Sequence, residues 1–426
     1  MVYSSLTPQQ LSQLRVRLDG EFEEFVKRGI KLDMSRGKPA PEMLTLANPM
    51  LSAIDENSDL RAEDGMDARN YGGLDGIPEA KRLFGEVMGV KPESLIVYGN
   101  SSLNLMYDTL VRSMIFGAVA NGLPLYECDG RKWLCPVPGY DRHFAITQQL
   151  GFEMVNVAMT PDGPDMDAVE SLVADPDVKG IWCVPMYSNP TGTVYSEQTI
   201  RRLAALKPAA KDFKIYCDNA YIVHHFYGAP AVPQLNMLAA AQEYGNENMV
   251  YMFASTSKVS FAGGGVSCIA SGDDSIAYYK KLLSYQTIGH DKLNQLRHAR
   301  YFKNAEGVAQ HMKKYMSLLV PKFEAVLSVL RAELGDTGIA EWSEPRGGYF
   351  ISVNLLSGCA KRTVQLCAEA GLKLTGAGAT FPYGRDPQDS NVRIAPSYPT
   401  VEQLTVAAKI FCAAAKLAAV EKLSAK

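Results

Sequence analysis

The residues with the most chemistry in them stand at the ends of apolar runs. Phe253-Ala254-Ser255-Thr256-Ser257-Lys258 passes from strand-like composition to small hydroxyls and then to one lysine, followed by Phe261-Ala262-Gly263-Gly264-Gly265. A lysine whose stem packs beside a strand end loses proton affinity by desolvation. It then becomes a nucleophile able to form a Schiff base with an aldehyde. Serine hydroxyls and glycine amides beside it can hold a phosphate. Alone, the stretch reads more readily as a surface loop that happens to carry a lysine.

Three other run ends carry polar residues. Residues 95–98 lead into Gly99-Asn100-Ser101-Ser102 and then a helical pattern, an arrangement that suits either an anion at a helix N-terminus or a plain serine cap. Residues 181–186 lead into Tyr187-Ser188-Asn189-Pro190-Thr191-Gly192, a forced turn whose asparagine can project a polar group into a cleft. Residues 214–217 lead into Asp218-Asn219-Ala220-Tyr221. A carboxylate at a buried strand end needs a positive partner, and no lysine or arginine stands close to Asp218 in sequence.

The elements that must position these groups are legible from periodicity. Apolar, β-branched runs at 95–98, 133–136, 154–157, 181–184, 214–217, 250–253 and 266–269 alternate with amphipathic helical patterns, one of them capped by Ser196. Runs apolar on both faces, separated by helices, indicate an α/β fold with a mostly parallel sheet covered by helices. Ligands collect at the carboxyl ends of such strands. The gaps between Asn189, Asp218, Tyr221 and Lys258 are 29, 3 and 37 residues, each near zero or one β-α-β unit, so all four can reach one sheet edge. Thr7-Pro8-Gln9-Gln10 and Thr400-Val401-Glu402-Gln403 are capping boxes opening the first and last helices. A long helical pattern over 293–334 is expected to break near Pro321. Residues 347–353 begin a shorter β-rich region, followed by a helix over 362–370.

Composition narrows the class. The chain has 426 residues, 47% hydrophobic and 21% charged, with a net charge of −3. That length suits two or three domains, and the charge argues against nucleic acid or anionic membrane as a partner. Eight dispersed cysteines without a CxxC pair fit buried free thiols rather than disulfides or a metal site. With no basic-apolar leader and no uncharged apolar run of spanning length, the expectation is a soluble, cytoplasmic protein.

A phosphate site, an acid for a buried cation, groups for a phenolate and an amine for an aldehyde match one cofactor, pyridoxal 5′-phosphate. The chain resembles the class I aminotransferases of fold type I from about Asp33 onward, most closely a bacterial aspartate-aminotransferase-like branch. The resemblance is carried by Ser35-Arg36-Gly37-Lys38-Pro39, Tyr71 with Gly76-Ile77-Pro78, Gly99-Asn100-Ser101-Ser102 and Pro138-Gly139-Tyr140. Asn189-Pro190-Thr191-Gly192, Asp218-Asn219-Ala220-Tyr221, Ser255-Thr256-Ser257-Lys258 and Asn391-Val392-Arg393-Ile394 complete it.

The resemblance implies a large domain over 50–320, with a mostly parallel seven-stranded sheet between helices. It implies a smaller α+β domain from 1–49 and 321–426. Lys258 would carry the Schiff base and shuttle the substrate proton, Asp218 would pair with the ring nitrogen, and Tyr221 and Asn189 would bond the ring oxygen. Tyr140 would stack on the ring. Ser101, Ser102, Ser255 and Ser257 would line the phosphate, joined by Tyr71 from a second subunit of a homodimer with shared sites. Arg393 would clamp the substrate α-carboxylate, with Gly37 and Asn189 beside it. One departure stands out, because the family's phosphate arginine eight residues after the lysine is Val266 here.

The implied activity is amino-group exchange between an amino acid, aspartate or another dicarboxylic one, and 2-oxoglutarate. Arg36, Lys38, Arg297 and Arg346 are nominees for the second carboxylate. A lyase or decarboxylase using the same cofactor is the alternative. An effector domain of a transcription regulator is disfavoured by the short stretch before Arg36 and the acidic charge.

Overall fold

The computed structural model describes residues 2–228 and 235–425. Its centre is an eight-stranded sheet. In chain order the strands are β1 (Leu95–Val97), β2 (Lys132–Val137), β3 (Glu153–Thr160), β4 (Gly163–Pro164), β5 (Val178–Cys183), β6 (Lys214–Asp218), β7 (Val250–Ser255) and β8 (Ser267–Ala270). Their spatial order is β1-β8-β7-β6-β5-β2-β3-β4. Only β8 and β4 run against the rest. The count is eight rather than the expected seven because β4, a two-residue hairpin return onto β3, carries too few residues to show a period.

Every residue of β5 and β6 is buried, as their two-sided apolar composition requires of strands with helices on both faces. Because β1, β2, β5, β6 and β7 share a direction, their carboxyl ends share an edge. Asp218 closes β6, and Ser101, Tyr140, Asn189 and Lys258 follow the other ends within a few residues.

The chain's two ends meet beyond the sheet. Leu32–Asp33 pairs in parallel with Leu372–Lys373. A three-stranded antiparallel sheet orders Ala340–Trp342, Ile351–Leu355 and Asn391–Ile394, which places Arg393 opposite Ser352. The helix Pro8–Lys27 opens with the expected Thr7–Gln10 capping box and Val401–Ser424 with the Thr400–Gln403 box. The latter is long and apolar enough to cross a membrane by length and composition. It is nonetheless mostly buried, packed on Pro8–Lys27 and on Ala305–Leu334.

The expected break at Pro321 is corrected: helix Ala305–Leu334 runs straight through it. The interruption falls earlier, after helix Lys292–Phe302, where Lys303 turns to φ 67° and Asn304 caps the next helix by accepting from Gly307 N. Asparagine suits this start, because its side chain satisfies an amide that the first turn of the new helix would otherwise leave free.

Candidate active site

Lys258 stands three residues past β7, in a cavity of about 420 Å³ at the shared strand edge. The walls hold Gly37, Tyr140, Asn189, Tyr221 and Arg393 from the expected set, together with Arg36, Asp141, Arg142, Phe350 and Thr375. The Lys258 amine lies 4.7 Å from the centre of the Tyr221 ring. Desolvation lowers its pKa from the ordinary 10.5, and the Asp218 carboxylate pulls partly the other way. Its backbone carbonyl is held by His224, whose Nε2 is 3.2 Å away. A carbonyl only accepts, so His224 carries its proton on Nε2. Burial keeps that imidazole neutral by lowering its pKa to about 3.

Asp218, the last residue of β6, lies behind the cavity. The partner that no neighbour in sequence provided is His143, whose Nε2 is 3.1 Å from Asp218 Oδ2. The His143 ring stacks on Trp182, with centroids 4.3 Å apart and planes at 9°. His143 follows Tyr140 by three residues on helix Asp141–Gln149, a spacing that turns both back toward the β2 end. Sequence reasoning missed it, and the Tyr140-x-x-His143 pattern at a helix start was the available signal. Burial raises the phenol pKa of both Tyr140 and Tyr221.

A second cluster gathers the small residues. Ser101 caps helix Ser102–Phe116 by accepting from Asn104 N, the plain cap, with its own hydroxyl proton left to donate. Ser255 and Ser257 hydroxyls are 2.7 Å apart. Gly265 packs so closely that a Cβ there would meet Ser257 N at 2.8 Å and Asn100 O at 2.9 Å. Its amide donates to Asn100 Oδ1 at 2.6 Å, which ties the Gly99–Ser102 turn to the glycine run. Val266 points into the apolar core. Hydroxyls, a helix N-terminus and a bare-backbone cradle next to a desolvated lysine fit a phosphorylated aldehyde without an arginine at 266.

Arg393 is buried and donates three side-chain hydrogen bonds among the described residues: Nη1 to Asp141 Oδ1 at 2.7 Å and to Asn189 Oδ1 at 3.2 Å, and Nη2 to Thr375 Oγ1 at 3.3 Å. Gly37 is admitted because a Cβ would meet the Phe350 ring at 2.6 Å. Tyr71 is 82% exposed and does not line this cavity. Among the nominees for a second carboxylate only Arg36 reaches the wall. Lys38 lies over the Tyr398 ring, Arg346 over Tyr227, and Arg297 donates to Asn294. Arg142, also on the wall, was not anticipated.

The fold and this lysine site together define an aminotransferase of fold type I. The chain belongs to the aspartate aminotransferase family: that family's profile, described as aspartate amino-transferase, matches residues 6–426. An aspartate aminotransferase of Corynebacterium glutamicum is 44% identical over 426 residues, covering 99% of this chain and 98% of that protein. The crystal structure of an aspartate transaminase from the same species superposes with a TM-score of 0.96 at 42% identity, covering 99% of both chains. More distantly, the α-aminoadipate aminotransferase LysN of Thermus thermophilus, complexed with N-(5′-phosphopyridoxyl)-L-leucine, shares the fold alone. It has a TM-score of 0.73 at 20% identity, over 94% of this chain and 95% of that one.

Proposed function

We propose that this aminotransferase uses pyridoxal 5′-phosphate to exchange the amino group of aspartate, or of another dicarboxylic amino acid, with 2-oxoglutarate. The observation that carries the reading is the desolvated Lys258 amine in one cavity with the Arg393 guanidinium. The cofactor, when bound, supplies the aldehyde that takes up the amino group and a ring that spreads negative charge from the substrate α-carbon. Lys258 Nζ, easily deprotonated, moves the α-proton. Asp218, fixed by His143, offers a buried carboxyl group as the partner of the ring nitrogen. Tyr221 and Asn189 offer hydrogen bonds, Tyr140 a flat wall, and Ser101, Ser102, Ser255 and Ser257 the phosphate shell.

Arg393 binds the α-carboxylate, and Arg36 or Arg142 takes the second one, which favours dicarboxylic substrates. The exposed rings of Tyr71 and Tyr285 support a homodimer in which Tyr71 serves the partner's site. We further assign residues 50–320 to a large domain and 1–49 with 321–426 to a smaller one, and place the enzyme in the cytoplasm. No observation favours a lyase.

The test is an amino-donor screen with 2-oxoglutarate as acceptor. Oxaloacetate from aspartate is expected, and failure of every dicarboxylic donor overturns the substrate assignment. Borohydride should fix the cofactor to wild type and not to Lys258→Ala; a surviving adduct would mean that another lysine carries it.

A further inference from the structure

We infer that Asp141 is an internal competitor for the Arg393 guanidinium, holding the place that a substrate carboxylate takes. The inference rests on the transaminase reading above. It follows from a count of donors. A guanidinium has five N–H groups. Nη1 spends both of its own on Asp141 and Asn189, and Nη2 spends one on Thr375. Nε is sealed from solvent and has no hydrogen-bond partner among the described residues. The Phe350 ring, 4.8 Å from Cζ, covers a face of the group. Of the two donors left, only the one on Nη2 can be reached from the cavity, whereas a carboxylate docked bidentately needs two. One of the three partners must withdraw.

Asn189 is 4% exposed, and Thr375 is tied by donating its hydroxyl to Ser35 O at 2.6 Å. The Asp141 side chain is 33% exposed. It is also the first residue of helix Asp141–Gln149, where a carboxylate stays favoured by the helix dipole after it lets go of Arg393. Asp141 is therefore the partner that leaves. Arg393 does not need it for orientation, because Asn189, Thr375 and Phe350 remain in place.

An enzyme that passes an amino acid and an oxo acid through the same clamp must release each one. A resident carboxylate weakens both and shortens their stay.

The experiment titrates wild type, Asp141→Asn and Asp141→Ala, each as purified holoenzyme, calorimetrically with maleate, an unreactive dicarboxylate. Competition predicts binding about fivefold tighter in Asp141→Ala, with slower dissociation, and a smaller gain in the same direction in the isosteric Asp141→Asn. Should the alanine variant not fold, the asparagine variant alone decides the sign. Unchanged or weaker binding overturns the inference, because a residue that merely positioned Arg393 would weaken binding when lost. Maleate binding that is missing from wild type, or that survives Arg393→Ala, removes the carboxylate site and with it the reading on which the competitor depends.

Discussion

His143 Nε2 lies 3.1 Å from Asp218 Oδ2 while the same imidazole stacks on the Trp182 indole. Both partners of this contact are almost wholly buried. A carboxyl group in that position has no water to fall back on, so it leans on the histidine and on the Ala220 amide, 3.2 Å from Oδ1.

Replacing His143 by phenylalanine keeps the ring and the stack but removes the imidazole bond to Asp218, leaving the one that Ala220 N donates to Oδ1 at 3.2 Å. Denaturant unfolding should show a loss of about 1–3 kcal/mol, the cost of taking one of its donors from a buried acceptor. A loss within experimental error would mean that Asp218 is satisfied by other means.

Gly265→Ala tests the phosphate cradle. The added carbon meets backbone atoms of Ser257 and Asn100, which cannot rotate away as a side chain would. Cofactor affinity should fall at least about tenfold and stability by about 1–3 kcal/mol. Unaltered affinity, measured by fluorescence titration of the cofactor-free protein, would place the phosphate elsewhere.

Arg393→Lys should raise the KM for amino acid and oxo acid together, by about tenfold or more, because one ammonium cannot reproduce the planar fork. Steady-state kinetics with each substrate in turn is the check. An effect confined to one substrate contradicts a shared α-carboxylate clamp.

At the far, amino-terminal end of β6, Lys214 is buried, bonded to Asn248 O and Ser275 Oγ, and desolvation lowers its pKa to about 7. The unfolded chain keeps a lysine near its ordinary 10.5. Between those values the unfolded state holds the extra proton, so this residue makes stability rise with pH across that window. Below the window both states are protonated and the dependence vanishes. Lys214→Met should flatten the rise, seen as a smaller difference between urea midpoints at about pH 7 and pH 10. An unchanged difference would assign the slope to other groups.

Much of this organisation was legible in the sequence because strand runs and helix caps leave local marks. Ser196, Thr7 and Thr400 cap helices as their neighbours in sequence require. Lys258, Tyr221, Asn189 and Tyr140 meet because a parallel sheet gathers the residues at the ends of its strands, and Arg393 joins them from the antiparallel strand Asn391–Ile394. What could not be read depends on contacts between distant segments. His143 pairs with Asp218 across 75 residues, and Asp141 with Arg393 across 252. The strands β4, Leu32–Asp33 and Leu372–Lys373 are each two residues long and exist only through their pairing. At Pro321 a local rule misled: the helix-breaking tendency was overridden by packing, with Lys322 beside it bonded to Pro399 O at 2.6 Å and Phe323 buried.

The helix Val401–Ser424 has a consequence for the order of synthesis. It forms the bed on which Leu11, Leu18 and Phe22 of the first helix are packed. On a ribosome the first helix therefore emerges almost four hundred residues before its partner. Its apolar stripe must wait, exposed or shielded by other factors, while the whole sheet is made and can fold. The central sheet can settle early, whereas the region that carries Arg393 closes last, so in a nascent chain Lys258 is in place before Arg393 can join it.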